Sequence, residues 1–316
     1  MFVKTSVDVI HNRSKRTRKK DEVCMAYPVG EKILINHLDF QIGGGGTNTA
    51  VAFSRLGLST AYLGKIGKDE NGAKVFKLLQ DEKVKFIGPV GKMTGFSVIL
   101  DSIKDDRTIL THKGCNDNLK YSEIHESLLE TKWFYFSSMV GESLQTIKEI
   151  AKYAQKENIK VAFNPSSYQA KKGIENIEEI LDACNILILN KDEAFYLTKK
   201  KNINLMLKEL KKYAKEYVIV TDGANGVWCY DGKKRIRGVS KKNLVILETT
   251  GAGDAFASGV VSGLIKGKEI KTALRMGFIE SESVIQAYGA KNDLLSWRKM
   301  LKMLKSDRRK FEITNL

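Results

Sequence analysis

The stretch Glu248-Thr-Thr-Gly-Ala-Gly-Asp-Ala-Phe-Ala-Ser-Gly259 sets a lone aspartate, Asp254, among glycines and other small residues. Glycine permits tight turns and lets a ligand approach the main chain closely. Beyond it, Ala255, Phe256, Ala257, Val260, Val261 and Leu264 recur at helical spacing. Asp254 therefore stands where a turn enters a helix. The first N–H groups of a helix are unpaired, and its dipole favours an anion there. An ordinary helix cap would look the same, because Asp is a common helix starter. The choice between cap and site falls to the rest of the chain.

Outward from this stretch, apolar strand-like runs alternate with amphipathic segments. The strand candidates are Ala61–Ile66, Trp133–Ser137, Lys160–Asn164, Ile186–Asn190 and Tyr217–Thr221. Helical patterns fall at Thr49–Leu56, Ala73–Asp81, Gln145–Glu157, Ile177–Ala183 and Leu205–Lys215. Such alternation implies an α/β fold with parallel strands and helices on both sides. Two stretches break the rhythm. Phe96–Asp101 and Arg107–His112 read as a hairpin, and Lys32–Ile42 reads as another short strand pair. No Gly/Ser linker divides the 316 residues, so the expectation is one domain, 1–316, with a small β lid built from segments near 30–42 and 92–113.

In open parallel sheets, ligands bind beyond the carboxyl ends of the strands. The polar and glycine-rich turns collect there: Gly43-Gly-Gly-Gly-Thr-Asn48 before a helix, Asn164-Pro165, Asn190-Lys-Asp-Glu193, Thr221-Asp222-Gly223, and Gly251-Ala-Gly-Asp254. Each has a plain turn reading, since Asn, Asp and Gly dominate loops. Their shared location favours a common site. Phosphoryl transfer needs main-chain donors at a helix start and a group to take the nucleophile's proton. Gly251, Ala252 and Gly253 can supply the donors and Asp254 the acceptor. A carboxyl at a helix N-terminus is expected to be ionised. Too weak to deprotonate an alcohol in advance, it can accept the proton late in a loose transition state.

The rest of the composition narrows the classes. No GxxxxGK[ST], GxSxG or HExxH occurs, and none of the 4 histidines neighbours a glycine-rich turn. The 4 cysteines, Cys24, Cys115, Cys184 and Cys229, lie far apart and read as free thiols of a reducing cytoplasm. No apolar run reaches the length of a membrane span. The net charge of +16 favours anionic partners such as nucleotides or phosphorylated metabolites. The basic run His11–Lys20 could serve a nucleic acid, but without interleaved aromatics it reads as a solvated loop, and nucleic acid is disfavoured as a partner.

Taken together, Thr250-Gly-Ala-Gly-Asp254-Ala-Phe-Ala-Ser-Gly259, Gly43-Gly-Gly-Gly-Thr-Asn48 with AVAFSRLG and LGKIGKDENG behind it, and Asn190-Lys-Asp-Glu193 resemble the ribokinase-like (PfkB) family of sugar and nucleoside kinases. Order and separation agree from about Lys32 to Leu295. The resemblance implies a three-layer α/β/α sandwich with a mostly parallel sheet and a β lid that excludes water on closure. It implies transfer of the γ-phosphate of ATP to a hydroxymethyl group of a sugar or sugar-like alcohol, with Asp254 as base and Gly251, Ala252 and Gly253 as anion hole. Gly44, Gly45 and Asn48 would bind the acceptor; Asn190, Thr221, Gly223 and Gly253 would lie by the nucleotide. Asn190 and Glu193 would organise Mg2+, mostly through water. A homodimer through the lid also follows from the resemblance. Alternatives are an adenosine or other nucleoside kinase of the same frame, an impaired member acting as a binding protein, or a nucleic-acid binder.

Several positions depart from the family pattern. Relatives begin with a strand G-x-x-x-x-D whose aspartate grips the acceptor, whereas Met1-Phe-Val-Lys-Thr5 reads as the tail of that strand, so that either the first strand is missing from the sheet or the start codon is misassigned. Asp8 is a candidate substitute. Glu248 stands where many relatives carry an aspartate beside a monovalent cation, so K+ dependence is left open. The segment Gly277–Gln286, where adenine contacts are expected, carries Glu280 and Glu282. Arg107 is the one candidate for a phosphorylated acceptor.

Overall fold

The computed structural model describes residues 2–4, 8–12, 22–35, 37–101, 107–241 and 243–316, with backbone alone for 2–4, 8–12, 22–26, 37, 101 and 107. The basic residues 13–20 lie outside the described residues, and the side chains of Asp8, Cys24 and Arg107 outside the described side chains.

The strand Ile186–Asn190 shows why a sheet sits at the centre. Its run Ile-Leu-Ile-Leu is buried throughout, the mark of a strand covered on both faces. Leu187 and Leu189 join one apolar cluster with Ile147, Ile150, Leu181 and Leu207. Ile186 and Ile188 join another with Phe53, Phe256, Val260 and Phe278. Alternate side chains thus reach helices on opposite sides. The result is the expected three-layer sandwich. Seven strands run in the order Trp133–Phe136, Lys160–Phe163, Ile186–Asn190, Tyr217–Thr221, Val227–Tyr230, Lys234–Gly238, Glu312–Asn315. The first four are parallel and the last three antiparallel.

One helical layer depends on bare backbone. Helix Ala252–Ile265 lies against helix Ile270–Val284 so closely that a methyl at Gly259 would stand 2.6 Å from the Met276 carbonyl oxygen. A methyl at Gly277 would stand 2.9 Å from the Phe256 carbonyl oxygen. The expected adenine segment Gly277–Gln286 therefore begins inside a packed helix. Its two acids face inward: Glu282 accepts from Arg309 Nη2 at 2.8 Å and from the Lys241 amide at 2.9 Å, and Glu280 is fully buried.

Three local expectations are corrected. Ala61–Ile66 is two short strands, Ala61–Tyr62 and Ile66–Gly67, pairing in parallel with Lys85–Phe86 and Val90–Gly91. Backbone of Gly88 pressed onto Gly64 breaks the run between them. Among its described residues, Lys32–Ile42 holds one strand, His37–Asp39, rather than two that pair with each other. Phe2–Lys4, read as the tail of a central strand, lies in a separate sheet of order Arg107–His112, Phe96–Asp101, Phe2–Lys4, His37–Asp39. Three alternating residues do not specify which sheet they join; available edges decide. Asp8 belongs to a two-stranded ribbon, Asp8–Asn12 with Glu22–Ala26, apart from the central sheet.

The outer edge of Trp133–Phe136 has no strand partner among the described residues. Edge strands usually carry charge, yet this one reads Trp-Phe-Tyr-Phe. Phe134 and Phe136 stack at 5.7 Å on one face, and Tyr135 meets Phe53 edge-on at 5.3 Å on the other. A trough lies between this edge and Ala61–Tyr62.

Glu280 offers a test of the packed helical layer. Its Oε1 accepts from the Leu295 amide at 3.1 Å, and burial pushes its pKa from 4.5 to about 8, against a lowering by the nearby Arg55. Folding therefore takes up a proton: this group's contribution is complete below about 4.5 and is lost as pH rises through about 8. Thermal melts of Glu280→Gln should match wild type at pH 5 and exceed it by about 4 °C or more at pH 9; equal melting temperatures at pH 9 would contradict the assignment.

Candidate functional site

Helix Gly45–Arg55 begins four residues earlier than its apolar pattern suggests, inside the glycine run. Hydroxyls make up for the poor helix propensity of glycine: Thr47 Oγ1 donates to the Gly43 carbonyl and Thr49 Oγ1 to the Gly45 carbonyl, both at 2.8 Å. The run is bare because three side chains crowd it. A methyl at Gly45 would stand 2.5 Å from Ser137 Oγ and 3.2 Å from Asp254 Oδ1; one at Gly46 would stand 2.9 Å from the Tyr62 ring. Asn48 points out of the first turn, and its Nδ2 donates to Asp254 Oδ2 at 2.8 Å.

Asp254 lies in the first turn of helix Ala252–Ile265, so it is not the capping residue. The cap is Gly251, in the left-handed region at φ 80°. Of the three amides expected to form an anion hole, that of Ala252 turns back to the Thr249 carbonyl at 3.2 Å. Gly253 belongs to the unpaired first turn, and nothing lies within 4 Å of where its side chain would be. Asp254 stays partly open to solvent, but protein surrounds its carboxyl. Burial raises its pKa, while the Asn48 hydrogen bond and the Lys291 charge lower it. The ionisation expected from the helix terminus alone thus meets an opposing desolvation.

Asn190 and Glu193 form a reciprocal capping box at the start of helix Lys191–Thr198: Glu193 N donates to Asn190 Oδ1 at 2.9 Å, and Asn190 N to Glu193 Oε2 at 3.0 Å. Ser167 Oγ donates to Glu193 Oε1 at 3.2 Å. Burial raises the Glu193 pKa. Lys191 pairs with Asp222 at 2.7 Å, joining the ends of two neighbouring strands.

Two cavities meet at Asp254. The smaller, about 230 Å³, is lined by Asn164, Asn190, Glu193, Thr221, Gly251 and Gly253 as well as Asp254. The larger, about 1050 Å³, holds Gly43 to Gly46 and runs into the trough beneath Trp133–Phe136. Asn164, Glu193 and Asp254 line both. Ala252 and Gly223 line neither. Glu248 Oε2 accepts from the Gly289 amide at 2.8 Å. Among the described residues no group of three His, Cys, Asp or Glu side chains converges as a metal cage.

Sequence reasoning missed Lys291. Its Nζ donates to Asn48 Oδ1 and to the Ile42 carbonyl, each at 2.5 Å. Nothing in the sequence separates it from the other basic residues, 53 in all. Ser137 and Tyr62, which crowd the glycine run, were also not singled out.

Residues 15–297 match the pfkB family carbohydrate kinase. The chain is 30% identical to an uncharacterized sugar kinase from Archaeoglobus fulgidus over 77% of this chain and 98% of that protein. An adenosine kinase structure from Sinorhizobium meliloti superposes with a TM-score of 0.75 at 22% identity, covering 86% of this chain and 84% of that one. A proposed ribokinase II from E. coli, in complex with ATP and Mg2+, gives a TM-score of 0.75 at 15% identity, over 97% and 99% of the two chains. Both glycine-rich segments and the intervening asparagine fall inside the matched span, and the chain belongs to the PfkB family of ATP-dependent carbohydrate kinases.

Proposed function

We propose that the chain transfers the γ-phosphoryl group of ATP to a hydroxymethyl group of a sugar or sugar-like alcohol, with Asp254 as the proton acceptor. One observation carries this reading: Asp254 stands where a small cavity rimmed by Gly251 and Gly253 opens into a large one rimmed by Gly43 to Gly46. The first suits phosphates, the second an alcohol. Asp254 Oδ2 is engaged by Asn48, which leaves Oδ1, on the Gly45 side, for the acceptor hydroxyl. The hydroxyl oxygen attacks the γ-phosphorus, the bond to the β-bridging oxygen breaks, ADP leaves, and the proton passes to Oδ1 as the new bond forms. The Gly253 amide and the helix terminus meet the charge on the migrating group.

Mg2+ fits as a water-keeping ion held chiefly by the phosphates. Glu193 is the one carboxylate besides Asp254 on the smaller cavity, with Asn190 beside it; when bound, the ion neutralises phosphate charge. Thr221 borders the same cavity, and Gly223 follows on the next turn. The small sheet serves as the lid of a single domain, and its half-exposed Phe96, Ile109 and Leu110 would suit closure or pairing with a second copy. The free, buried Cys115, Cys184 and Cys229 accord with a cytoplasmic setting. No helix among the described residues is long and apolar enough to cross a membrane.

A nucleoside acceptor is the second reading. Tyr62, Trp133, Tyr135 and Tyr168 line the larger cavity, whose volume and aromatic walls exceed what a monosaccharide needs. A panel of pentoses, hexoses, sugar phosphates and nucleosides, scored by ADP release with Mg2+, separates the two. Asp254→Asn should lower turnover at least about 100-fold on the best acceptor; unchanged turnover would remove Asp254 from the chemistry.

Gly253 and Gly251 should respond differently. A methyl at Gly253 enters empty space, so Gly253→Ala should fold with wild-type thermal stability while losing about 10-fold or more in turnover by blocking the phosphoryl group. Gly251→Ala, at φ 80° and 2.5 Å from the Ala290 side chain, should also lose about 1–3 kcal/mol of stability in denaturant melts. Full activity in Gly253→Ala would mean that no phosphate passes there.

A further inference from the structure

Lys291 sits in the turn after helix Ile270–Val284, with 9% of its surface exposed. Among the described residues no carboxylate lies within ion-pair distance of its ammonium. A buried charge without such a partner is costly, and an apolar side chain of similar length would fill the space more cheaply. The contacts of Lys291 show what the charge does.

Its Nζ reaches Asn48 Oδ1 and the carbonyl of Ile42, the residue before the glycine run. An ammonium can only donate. The Asn48 atom facing it must therefore be the carbonyl oxygen, which turns the amide nitrogen toward Asp254. That nitrogen can only donate in turn, so Asp254 Oδ2, 2.8 Å away, is held as an acceptor. Any proton on this carboxyl then has one place to go, Oδ1, which faces Gly45 and the acceptor cavity. The turn carrying Lys291 is itself anchored: Arg55 Nη1 donates to the Lys291 and Leu294 carbonyls at 3.0 and 3.2 Å. Arg55 is clamped in two places by Glu82.

Building on the reading of Asp254 as proton acceptor, we propose that Lys291 is its positioning residue, orienting Asn48 so that Oδ2 stays a hydrogen-bond acceptor and Oδ1 is reserved for the acceptor's proton. The electrostatics run in the same direction. The Lys291 charge offsets part of the burial that raises the Asp254 pKa, and burial pushes Lys291 itself down to about 8. Asp254 and Glu82 raise Lys291 and Arg55 lowers it. Asp254 and Glu193 both act on the buried Tyr135 hydroxyl, while Arg55 acts on Glu280 of helix Ile270–Val284.

Carboxyl-13C labelling of aspartate in the full chain tests this without requiring turnover, the Asp254 signal being assigned by its loss in Asp254→Asn. Lys291→Met should raise the Asp254 titration midpoint by about one pH unit or more, and Lys291→Arg should restore it. The wild-type signal should also show a second inflection near pH 8 as Lys291 discharges, absent from Lys291→Arg. An unchanged midpoint in Lys291→Met overturns the proposal. Should that variant fail to fold, persistence of the pH 8 inflection in Lys291→Arg overturns it instead. In turnover, Lys291→Met should lower kcat about 10-fold more at pH 6 than at pH 8, with KM for ATP unchanged; a parallel loss at both pH values would reduce Lys291 to a packing role. Full ADP release by Asp254→Asn would remove Asp254 from the chemistry while leaving the titration result standing.

Discussion

Everything at this site depends on one hydrogen bond between residues 206 positions apart, Asn48 Nδ2 to Asp254 Oδ2. It joins the first turns of two helices whose N-termini both point at the same junction. Helix termini are where backbone donors remain unpaired, so bringing two together makes a polar centre from main chain alone. The arrangement demands small residues on both sides. Gly45 yields room to Asp254 and Ser137, and Gly251 yields room to Ala290. A bulkier residue at either place would separate the helices and break the contact that aims the carboxylate.

The same economy of side chains recurs behind the site. Helices Ala252–Ile265 and Ile270–Val284 touch backbone to backbone through Gly259 and Gly277. Close-packed interiors transmit displacement because there is little free volume to absorb it. Asp254 is thereby fixed from behind, while Ser258 Oγ, donating to the Asp254 carbonyl at 2.7 Å, closes its own helical turn. The placement of Asp254 and the packing of this layer are one constraint, and on the proposed reading stability and activity should vary together for substitutions at Gly259 and Gly277.

Much of this was legible because glycine and asparagine leave marks that survive without structure. The stretches at residues 43–48, 190–193 and 251–254 stand at helix starts, and four of the seven central strands could be placed from continuous apolar runs. What escaped the sequence came from long-range packing. Glycines suggest a loop, yet Gly45 and Gly46 are helical because Tyr62, Ser137 and Asp254 crowd them from distant segments. The Asn190–Glu193 pair, read for magnesium and phosphate, is also a capping box, and local sequence cannot separate those two uses. Lys291 was invisible because burial of one lysine among many is a property of the turn that carries it.

If the larger cavity takes the acceptor as proposed, the open edge at Trp133–Phe136 links acceptor binding to folding. Its aromatic side chains form part of the wall of the larger cavity and also belong to or pack against the clusters on both faces of the sheet. Apolar surface left facing a cavity withholds stabilisation of about 25 cal/mol for each Å² not covered. A ligand that covers it recovers that term and stabilises the native state in proportion to its saturation. On the proposed role of Asp254, acceptors reaching into the trough would be selected on apolar contact as well as on the hydroxyl they present. A compact polyol would engage the glycine rim alone and leave the aromatic wall exposed. On that reading the chemistry at Asp254 fixes which bond is made, while the shape of the trough decides which alcohol arrives.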